Sequence, residues 1–136
     1  MARLRRAGEE LPTIDRDLDQ ARLVMYAGAT WDWHRLHYDT EYVRERKLAA
    51  PLVDGQMLGA LFAEQVHRHF EPRARIVGMK LRFRSMVFAG ERVEITGEIV
   101  SVEEGPNGCR TVVCRQTARV GSRTCSTCVS TVRTPG

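Results

Sequence analysis

The order of hydrophobic and polar positions divides the chain into a helical front half and a strand-forming back half. Residues 17–30 place Leu18, Ala21, Val24 and Met25 at spacings of three, three and one. These spacings put the four side chains on one face of a helix. The front half is therefore predicted to contain an amphipathic helix over residues 17–30, which ends at a run of aromatic and polar side chains.

The longest run of apolar positions predicts the central helix of the fold. Between residues 56 and 70, apolar side chains cover most of the helix circumference, so we expect a helix that is buried on nearly all sides. A short helix over residues 39–48 precedes it. Residues 77–88 then alternate between apolar positions, such as Val77 and Phe83, and basic ones, which predicts a half-buried strand.

Three more strands are predicted over residues 92–103, 110–120 and 123–133. The segments EEGPNG and GS separate them and contain residues that favour tight turns, so an antiparallel meander is expected. The apolar phase shifts within the first of these strands, and Gly97 at that point predicts a bulge that lets the sheet curl. The expected fold is α+β, with a curled antiparallel sheet wrapped around one long buried helix.

Size and composition favour a single folded domain. The 136 residues are 43% apolar and 28% charged, which is typical of a globular protein that is large enough to bury a core. We expect one domain over residues 1–136, in which residues 1–10 form a mobile N-terminal arm. The apolar runs are all shorter than the roughly 20 residues that a membrane-spanning helix needs.

The charge pattern argues against a nucleic-acid-binding function. The net charge of +4 is small, and the basic residues are interspersed with acidic ones instead of forming a stripe. The one dense basic cluster, Arg3, Arg5 and Arg6, lies at the N-terminus. No apolar region of about 7 to 15 residues follows this cluster, as it would in a secretory signal, so a cytoplasmic location is expected.

Four cysteines near the C-terminus raise the question of a metal site: Cys109, Cys114, Cys125 and Cys128. The last two are three residues apart in a predicted strand, so their side chains are expected on opposite faces and unable to share an ion. Buried, reduced thiols are favoured over a metal site or a disulfide, because free cysteine packs as a small hydrophobic residue. We therefore predict no metal site.

Three segments carry a resemblance to a known family. The segments are YAGATWDWHRLHYD, PLVDGQMLGAL and GMKLRFRSMVFAGERVEITGEIVSVEE. Together they resemble the MaoC-like family of R-specific enoyl-thioester hydratases and dehydratases, which has the hotdog fold. The likeness runs over residues 8–104, and the last two strands agree with the family in type only.

The family's signature is Asp-x-Asn-Pro-x-His, followed by His-Gly at the start of the central helix. Asp32 and His37 match the first and last residues of the motif, and Gly55 matches the glycine. The chain departs from the signature at His34 and Arg35, which replace the Asn-Pro pair. It also departs from it at residue 54, where an aspartate replaces the histidine before the glycine.

The resemblance implies a single-hotdog enzyme that adds water to a trans-2-enoyl thioester or removes it from an (R)-3-hydroxyacyl thioester. The thioester is expected to be linked to coenzyme A or to an acyl carrier, and no cofactor is implied. A homodimer, a higher homo-oligomer or a heterodimer with a related subunit is expected, with no nucleic acid or membrane partner. A thioesterase on the same fold and a non-catalytic acyl-binding subunit are the alternatives.

Hydration of an enoyl thioester needs a base, an acid and stabilisation of the enolate oxygen. Asp32 and His37 can supply the acid–base pair, and the backbone N–H of Gly55 can stabilise the oxyanion at the N-terminus of the central helix. In a helix, residues five apart point about 140° apart around the axis. The mechanism therefore predicts that residues 30–39, TWDWHRLHYD, are not helical.

The other polar and aromatic side chains of this region are each open to two interpretations. His34 and Arg35 either contact the substrate or support the loop. Trp33 either forms an apolar wall for the acyl chain or packs in the core, as does Trp31. Arg84 belongs to a basic row with the side chains at positions 80 and 82, and the row either binds coenzyme A phosphates or is simply solvated.

Two histidines near the end of the central helix, His67 and His69, point to different helix faces. They are predicted to be cations at the helix C-terminus, where they would interact favourably with the helix dipole, and not metal ligands.

Overall fold

A computed structural model of the chain describes residues 4–136. Its elements in chain order are β1 (Ile14–Leu18), α1 (Gln20–Thr30), a 3₁₀ turn (Arg35–His37), α2 (Thr40–Glu45), α3 (Gly55–His69), β2 (Arg75–Phe83), β3 (Glu91–Glu104), a second 3₁₀ turn (Pro106–Gly108), β4 (Arg110–Val120) and β5 (Arg123–Thr134). The described strands form one antiparallel sheet in the order β1-β3-β4-β5-β2. No helix among the described residues is long and apolar enough to span a membrane.

The sheet curls around α3, as the sequence predicts. Phe62 of α3 is fully buried and belongs to the same core cluster as Val93 and Ile95 of β3. The helix begins and ends within one residue of its predicted bounds, but it is not buried on nearly all sides. One face of α3 is open to solvent at four positions: Gln56, Ala60, His67 and Arg68.

A chain of buried polar side chains ties α3 to the sheet. Gln116 of β4 donates from Nε2 to the carbonyl of Phe62 at 2.8 Å and to Oε1 of Gln65 at 2.9 Å. Gln65 in turn donates to the carbonyls of Pro12 and Ile95. Because each of these amides finds hydrogen-bond partners, the network can be buried without a large desolvation penalty.

The first helix is shorter than predicted and has a different buried face. Leu18 lies in β1 and not in the helix, because this segment pairs with β3, and Asp19 caps the helix that follows. Met25, predicted to be buried, is 72% exposed, and the buried positions of α1 are Leu23 and Ala27. Strand pairing with distant residues therefore overrides the local helical pattern.

The strand predicted over residues 77–88 is observed as β2, which ends at Phe83. β2 lies at the sheet edge and pairs with β5 alone, so the face predicted to be buried is only partly covered. Val77 is 51% exposed and Phe83 is 59% exposed. After β2 the backbone N–H groups of Arg84 and Ser85 both donate to the carbonyl of Cys125. The other three predicted strands agree with β3, β4 and β5 to within one residue at each end.

Two register shifts in the sheet show that the predictions for Gly97 and for Cys125 and Cys128 are wrong. The irregularity in β3 lies between Ile99 and Ser101, so Gly97 is not the bulge. Opposite β4, Cys125 is the extra residue between the paired Thr124 and Ser126. This insertion changes the phase of β5, so Cys125 and Cys128 both join the same core cluster instead of facing opposite sides.

All four cysteines are free, and Cys109 is the only one of them that is not buried. Burial raises the pKa of Cys114 to about 12 and also raises the pKa of Cys128. The prediction of free thiols is therefore confirmed, whereas the prediction of burial is wrong for Cys109.

The N-terminal segment differs from the mobile arm expected over residues 1–10. Gly8 donates to the carbonyl of Ile99, and the N–H of Ile99 donates back to the carbonyl of Glu9. Arg5 also bonds to Glu9 and to the carbonyl of His69. This segment is therefore held against β3 and the end of α3, while residues 1–3 lie outside the described residues.

Candidate active site

The loop between α1 and α2 brings the acid–base candidates to the start of α3. Trp31 ends α1 in the left-handed conformation at φ 60°, and Asp32 Oδ1 accepts a hydrogen bond from His34 N at 3.3 Å. A single 3₁₀ turn follows, and Asp39 then caps α2. Apart from Thr30, which ends α1, residues 30–39 are free of α-helix, as predicted.

Two main-chain interactions with Leu52 set the orientation of His37. The Leu52 N–H donates to the carbonyl of Leu36, and the Leu52 carbonyl lies 2.8 Å from His37 Nδ1. Because a carbonyl can only accept, Nδ1 carries the hydrogen and donates it. His37 Nε2 then faces Asp32 Oδ2 at 4.0 Å, with the His37 side chain 17% and the Asp32 side chain 36% exposed.

Asp54 and Gly55 form the N-terminus of α3 beside this pair. Asp54 is the N-cap, with Oδ1 accepting from Gln56 N at 2.8 Å, and the residue is only 9% exposed. Gly55 is the first residue of the helix, so its N–H has no carbonyl of the same helix to bond. This N–H is available to an oxygen that approaches the helix end.

Asp32, His37 and Asp54 converge on one small region. One ring nitrogen of His37 and one carboxylate oxygen from each aspartate all lie within 4.8 Å of one another. Groups of these types can hold a metal ion, and they can equally hold a water molecule for acid–base chemistry. The region is partly shielded from solvent, since Asp54 is buried and the other two side chains are half-buried.

Tyr26 of α1 closes the other side of this region. It lines a narrow space together with His37, Asp54 and Met57. Burial raises the pKa of Tyr26, and the negative charges of Asp54 and Asp32 raise it further. The phenol therefore stays protonated near neutral pH and offers the site a hydrogen-bond donor.

A larger cleft opens on the other side of Gly55. It has a volume of about 490 Å³ and is lined by Val53, Gly55, Leu58, Phe83, Arg84, Ser85, Met86 and Val87. A Cβ added at Gly55 would lie 2.8 Å from Cζ of Phe83, so only glycine lets the ring pack this close to the helix start. The cleft therefore meets the helix N-terminus directly, with an arginine at its rim.

The remaining predicted residues are distributed around the site. His34 Nδ1 accepts from Leu36 N, and the His34 ring lies 6.0 Å from the His37 ring. Arg35 is turned toward Asp39, which it bonds at 2.8 Å, so it supports the loop. These two side chains are thus engaged with the loop, and neither of them lines the two spaces beside the site.

Trp33 packs edge-on against Tyr38, and its ring lies 3.6 Å from the position of a Cβ at Gly28. It therefore packs between α1 and the loop and does not line either space. Arg84 does line the larger cleft, whereas Lys80 and Arg82 lie on exposed positions of β2. His67 and His69 lie in the last turn of α3, as predicted.

The chain is similar to one protein family and to named proteins. A family model described as "MaoC like domain" matches residues 4–120. A 3-hydroxyacyl-[acyl-carrier-protein] dehydratase, mitochondrial, from Arabidopsis thaliana is 32% identical over 82 residues, which cover 60% of this chain and 49% of that protein. The chain thus matches about half the length of this relative.

Solved structures share the fold. The (R)-hydratase from A. caviae involved in PHA biosynthesis superimposes with a TM-score of 0.84 at 21% identity, covering 98% of this chain and 100% of that one. The ChsH1-ChsH2 complex from Mycobacterium tuberculosis gives a TM-score of 0.82 at 22% identity, covering 95% and 98%. The curled sheet around a central helix is therefore the hotdog fold.

Sequence reasoning gave no role to three contributors to this site: Tyr26, the Leu52 carbonyl and the Asp54 carboxylate. The sequence pattern does not place Tyr26 near the site, because it predicts the wrong side of α1 to be buried. The Leu52 carbonyl has no side-chain signal at all. Asp54 could have been found as a helix cap, since an aspartate directly before an apolar helix is a typical N-cap.

Proposed function

Because this chain belongs to the MaoC-like domain family, we propose that it adds water to a trans-2-enoyl thioester, or removes it from the matching (R)-3-hydroxyacyl thioester. The observation that carries the proposal is the pairing of Asp32 Oδ2 with His37 Nε2 at 4.0 Å, next to the N-terminus of α3. An acid–base pair beside an unused helix N–H is the combination that this reaction needs.

In the hydration direction, the oxygen of a bound water forms a bond to C3 of the enoyl group. One proton of that water passes to the Asp32 and His37 pair, and the C2=C3 electrons move toward the thioester oxygen to give an enolate. The enolate then takes a proton at C2 from the same pair, so that H and OH have been added and the site is restored. His37 is the proton carrier in this scheme, and Asp32 orients and activates the water.

Gly55 is proposed to stabilise the enolate oxygen. Its N–H lies at the start of a 15-residue helix, where the helix dipole favours negative charge. The 490 Å³ cleft, which Gly55 lines, gives the thioester carbonyl access to this N–H. A single donor of this kind typically contributes about 3 kcal/mol to transition-state stabilisation.

The carrier of the acyl group is proposed to be coenzyme A or an acyl carrier protein. The Arabidopsis relative is named for an acyl-carrier-protein substrate. Arg84 at the cleft rim, with Lys80 and Arg82 on the neighbouring exposed face, supplies positive charge that either carrier's phosphate could contact. No cofactor takes part in the proposed chemistry.

We also propose that the chain acts as an oligomer, with itself or with a related subunit. The exposed edge strand β2 and its exposed Phe83 beside the cleft support this proposal, because unpaired sheet edges are generally covered. One structural neighbour is itself a complex of two named chains. The cytoplasmic location stays a prediction, since the Arabidopsis relative is named mitochondrial.

The proposal is tested by following the absorbance of the enoyl-thioester band with crotonyl-CoA and with a longer trans-2-enoyl-CoA. The wild type should remove the band without releasing free thiol. Asp32→Asn and His37→Ala should each lose about 100-fold or more in kcat. The thermal stability of His37→Ala should stay within about 1 kcal/mol, because His37 makes one hydrogen bond at the edge of the core.

His67→Ala provides the matched control, since His67 is exposed on α3 away from the pair. It should retain wild-type activity. Release of coenzyme A thiol would instead identify a thioesterase, and an inactive wild type that still binds acyl thioesters would identify a binding subunit.

A further inference from the structure

Asp54 is not part of the proposed acid–base pair, yet its carboxylate lies within 4.8 Å of both Asp32 and His37. We propose that the Asp54 carboxylate is the third group that binds the reacting water. This inference rests on the proposed hydratase or dehydratase function. It gives the site three side chains around one water molecule: Asp54 anchors the water, Asp32 orients it, and His37 carries its proton.

The size of the cluster fits a water molecule. Because no two of the three atoms are more than 4.8 Å apart, a single point lies no more than about 2.8 Å from all of them, which is within reach of hydrogen bonds to one water. Two ligands of a zinc or magnesium ion, each about 2.1 Å from the ion, are typically nearer to each other than the 4.0 Å between Asp32 and His37. The spacing therefore suits a bound water.

The surroundings of Asp54 leave one of its oxygens in need of a donor. Oδ1 accepts from Gln56 N, and no donor among residues 4–136 bonds the other oxygen. The residue as a whole is 9% exposed, and this oxygen is not one of the buried side-chain atoms without a partner, so water can reach it. A water held between the three groups would supply that hydrogen bond.

The negative charges of Asp32 and Asp54 also support a water between these side chains. Two carboxylates at this distance repel each other unless a hydrogen-bond donor lies between them. A water can donate one O–H to Asp54 and direct the other between Asp32 Oδ2 and His37 Nε2, the nitrogen that the Leu52 carbonyl leaves free. The first bond stays in place during the reaction, and the second is the one that transfers its proton. Tyr26, whose phenol stays protonated beside both aspartates, adds a further donor to the same region.

The role of Asp54 can be separated from its role as a helix cap. Asn caps helices as well as Asp does, so Asp54→Asn should keep the bond to Gln56 N while removing the charge. Asp19→Asn is the matched control, because Asp19 caps α1 in the same way, accepting from Arg22 N at 2.9 Å outside the site. Both variants should melt close to the wild-type temperature.

With crotonyl-CoA as the probe, Asp54→Asn should lower kcat by about 100-fold with KM within about twofold, because Asp54 contacts the water and not the acyl group. Asp19→Asn should keep both constants. Asp54→Ser, which also caps, should show the same loss as Asp54→Asn. If both aspartates hold one water, the double variant Asp32→Asn/Asp54→Asn should lose far less than the product of the two single losses.

The outcomes distinguish this inference from the proposed function. An active wild type with a fully active Asp54→Asn variant overturns the role of Asp54 and leaves the hydratase proposal standing. Losses that multiply fully in the double variant overturn the shared water. A wild type that is inactive on every enoyl thioester tested overturns the proposed function and, with it, this inference.

Discussion

Replacing Gly97 by alanine tests the interpretation that this glycine makes room for the buried amide network. An ideal Cβ at Gly97 would lie 2.8 Å from Gln65 Oε1, 3.1 Å from Gln116 Cγ and 3.2 Å from the backbone oxygen of Arg115. None of these atoms is the free end of an exposed side chain. Gln65 and Gln116 are fully buried and held by hydrogen bonds, so neither side chain can easily move away from the added methyl group.

The expected loss of stability follows from two contributions. Forcing a methyl group into a packed core costs about 1 to 3 kcal/mol. Displacing Gln65 Oε1 also weakens its 2.9 Å bond from Gln116, and leaving a buried polar group unsatisfied costs about 1 to 3 kcal/mol. We expect a total loss of about 3 kcal/mol in the free energy of unfolding. For a chain of this size, that lowers the melting temperature by roughly 10 °C.

The assay is thermal unfolding followed by circular dichroism, with Gly78→Ala as the control. Gly78 is also a strand glycine, but nothing lies within 4 Å of its Cβ position. This control should melt at or slightly above the wild-type temperature, because alanine reduces the entropy of the unfolded chain. If the melting temperatures of Gly97→Ala and Gly78→Ala differ by less than about 2 °C, the close-approach argument is refuted.

Three further predictions concern the thiols and the start of α3. Because burial raises the pKa of Cys114 to about 12, a thiol reagent at pH 8 should label Cys109 fast and the buried thiols only after denaturation; fast labelling of a second cysteine would contradict this. In the unfolded chain the Cys114 thiol has a pKa near the ordinary value for cysteine, so it ionises there while the folded chain keeps it protonated. The free energy of unfolding should therefore fall as the pH rises above about 9. Gly55→Ala should cost about 1 kcal/mol in stability, since the exposed Phe83 ring can move away, and it should lower kcat/KM only through the bulk of the added methyl group, because the backbone N–H is kept. Unchanged kcat/KM in this variant would show that the thioester carbonyl reaches the N–H of residue 55 without crossing the Cβ position.

The parts of the fold that follow from local pattern could be predicted from the sequence. β4 begins and ends where it was predicted, because alternation and turn residues mark its bounds. β1 was missed, since Ile14–Leu18 carries little strand pattern of its own and is a strand because it pairs with β3. The extra residue at Cys125 was also missed, because a bulge depends on register with β4 and not on the sequence around it.

The error in α1 affected the site as well as the fold. The pattern that starts at Leu18 rotates the predicted buried face of the helix away from the observed one. The observed face contains Leu23 and Ala27, and Tyr26 lies beside them, toward His37 and Asp54. A helix register that is set by β1 and by the Asp19 cap therefore decides which aromatic side chain reaches the site, and no motif in the sequence reports it.

The distance between Asp32 and His37 depends on main-chain contacts that leave no trace in the side chains. The Leu52 carbonyl fixes the His37 ring, and Leu52 itself is held by the Leu36 carbonyl and by an isolated bridge to Phe88. The next residue, Val53, donates to the carbonyl of Val87. The segment before α3 thus couples the Asp32 and His37 pair to the wall of the cleft. The motif could therefore identify the candidate side chains, but the contacts that position them follow only from the three-dimensional fold.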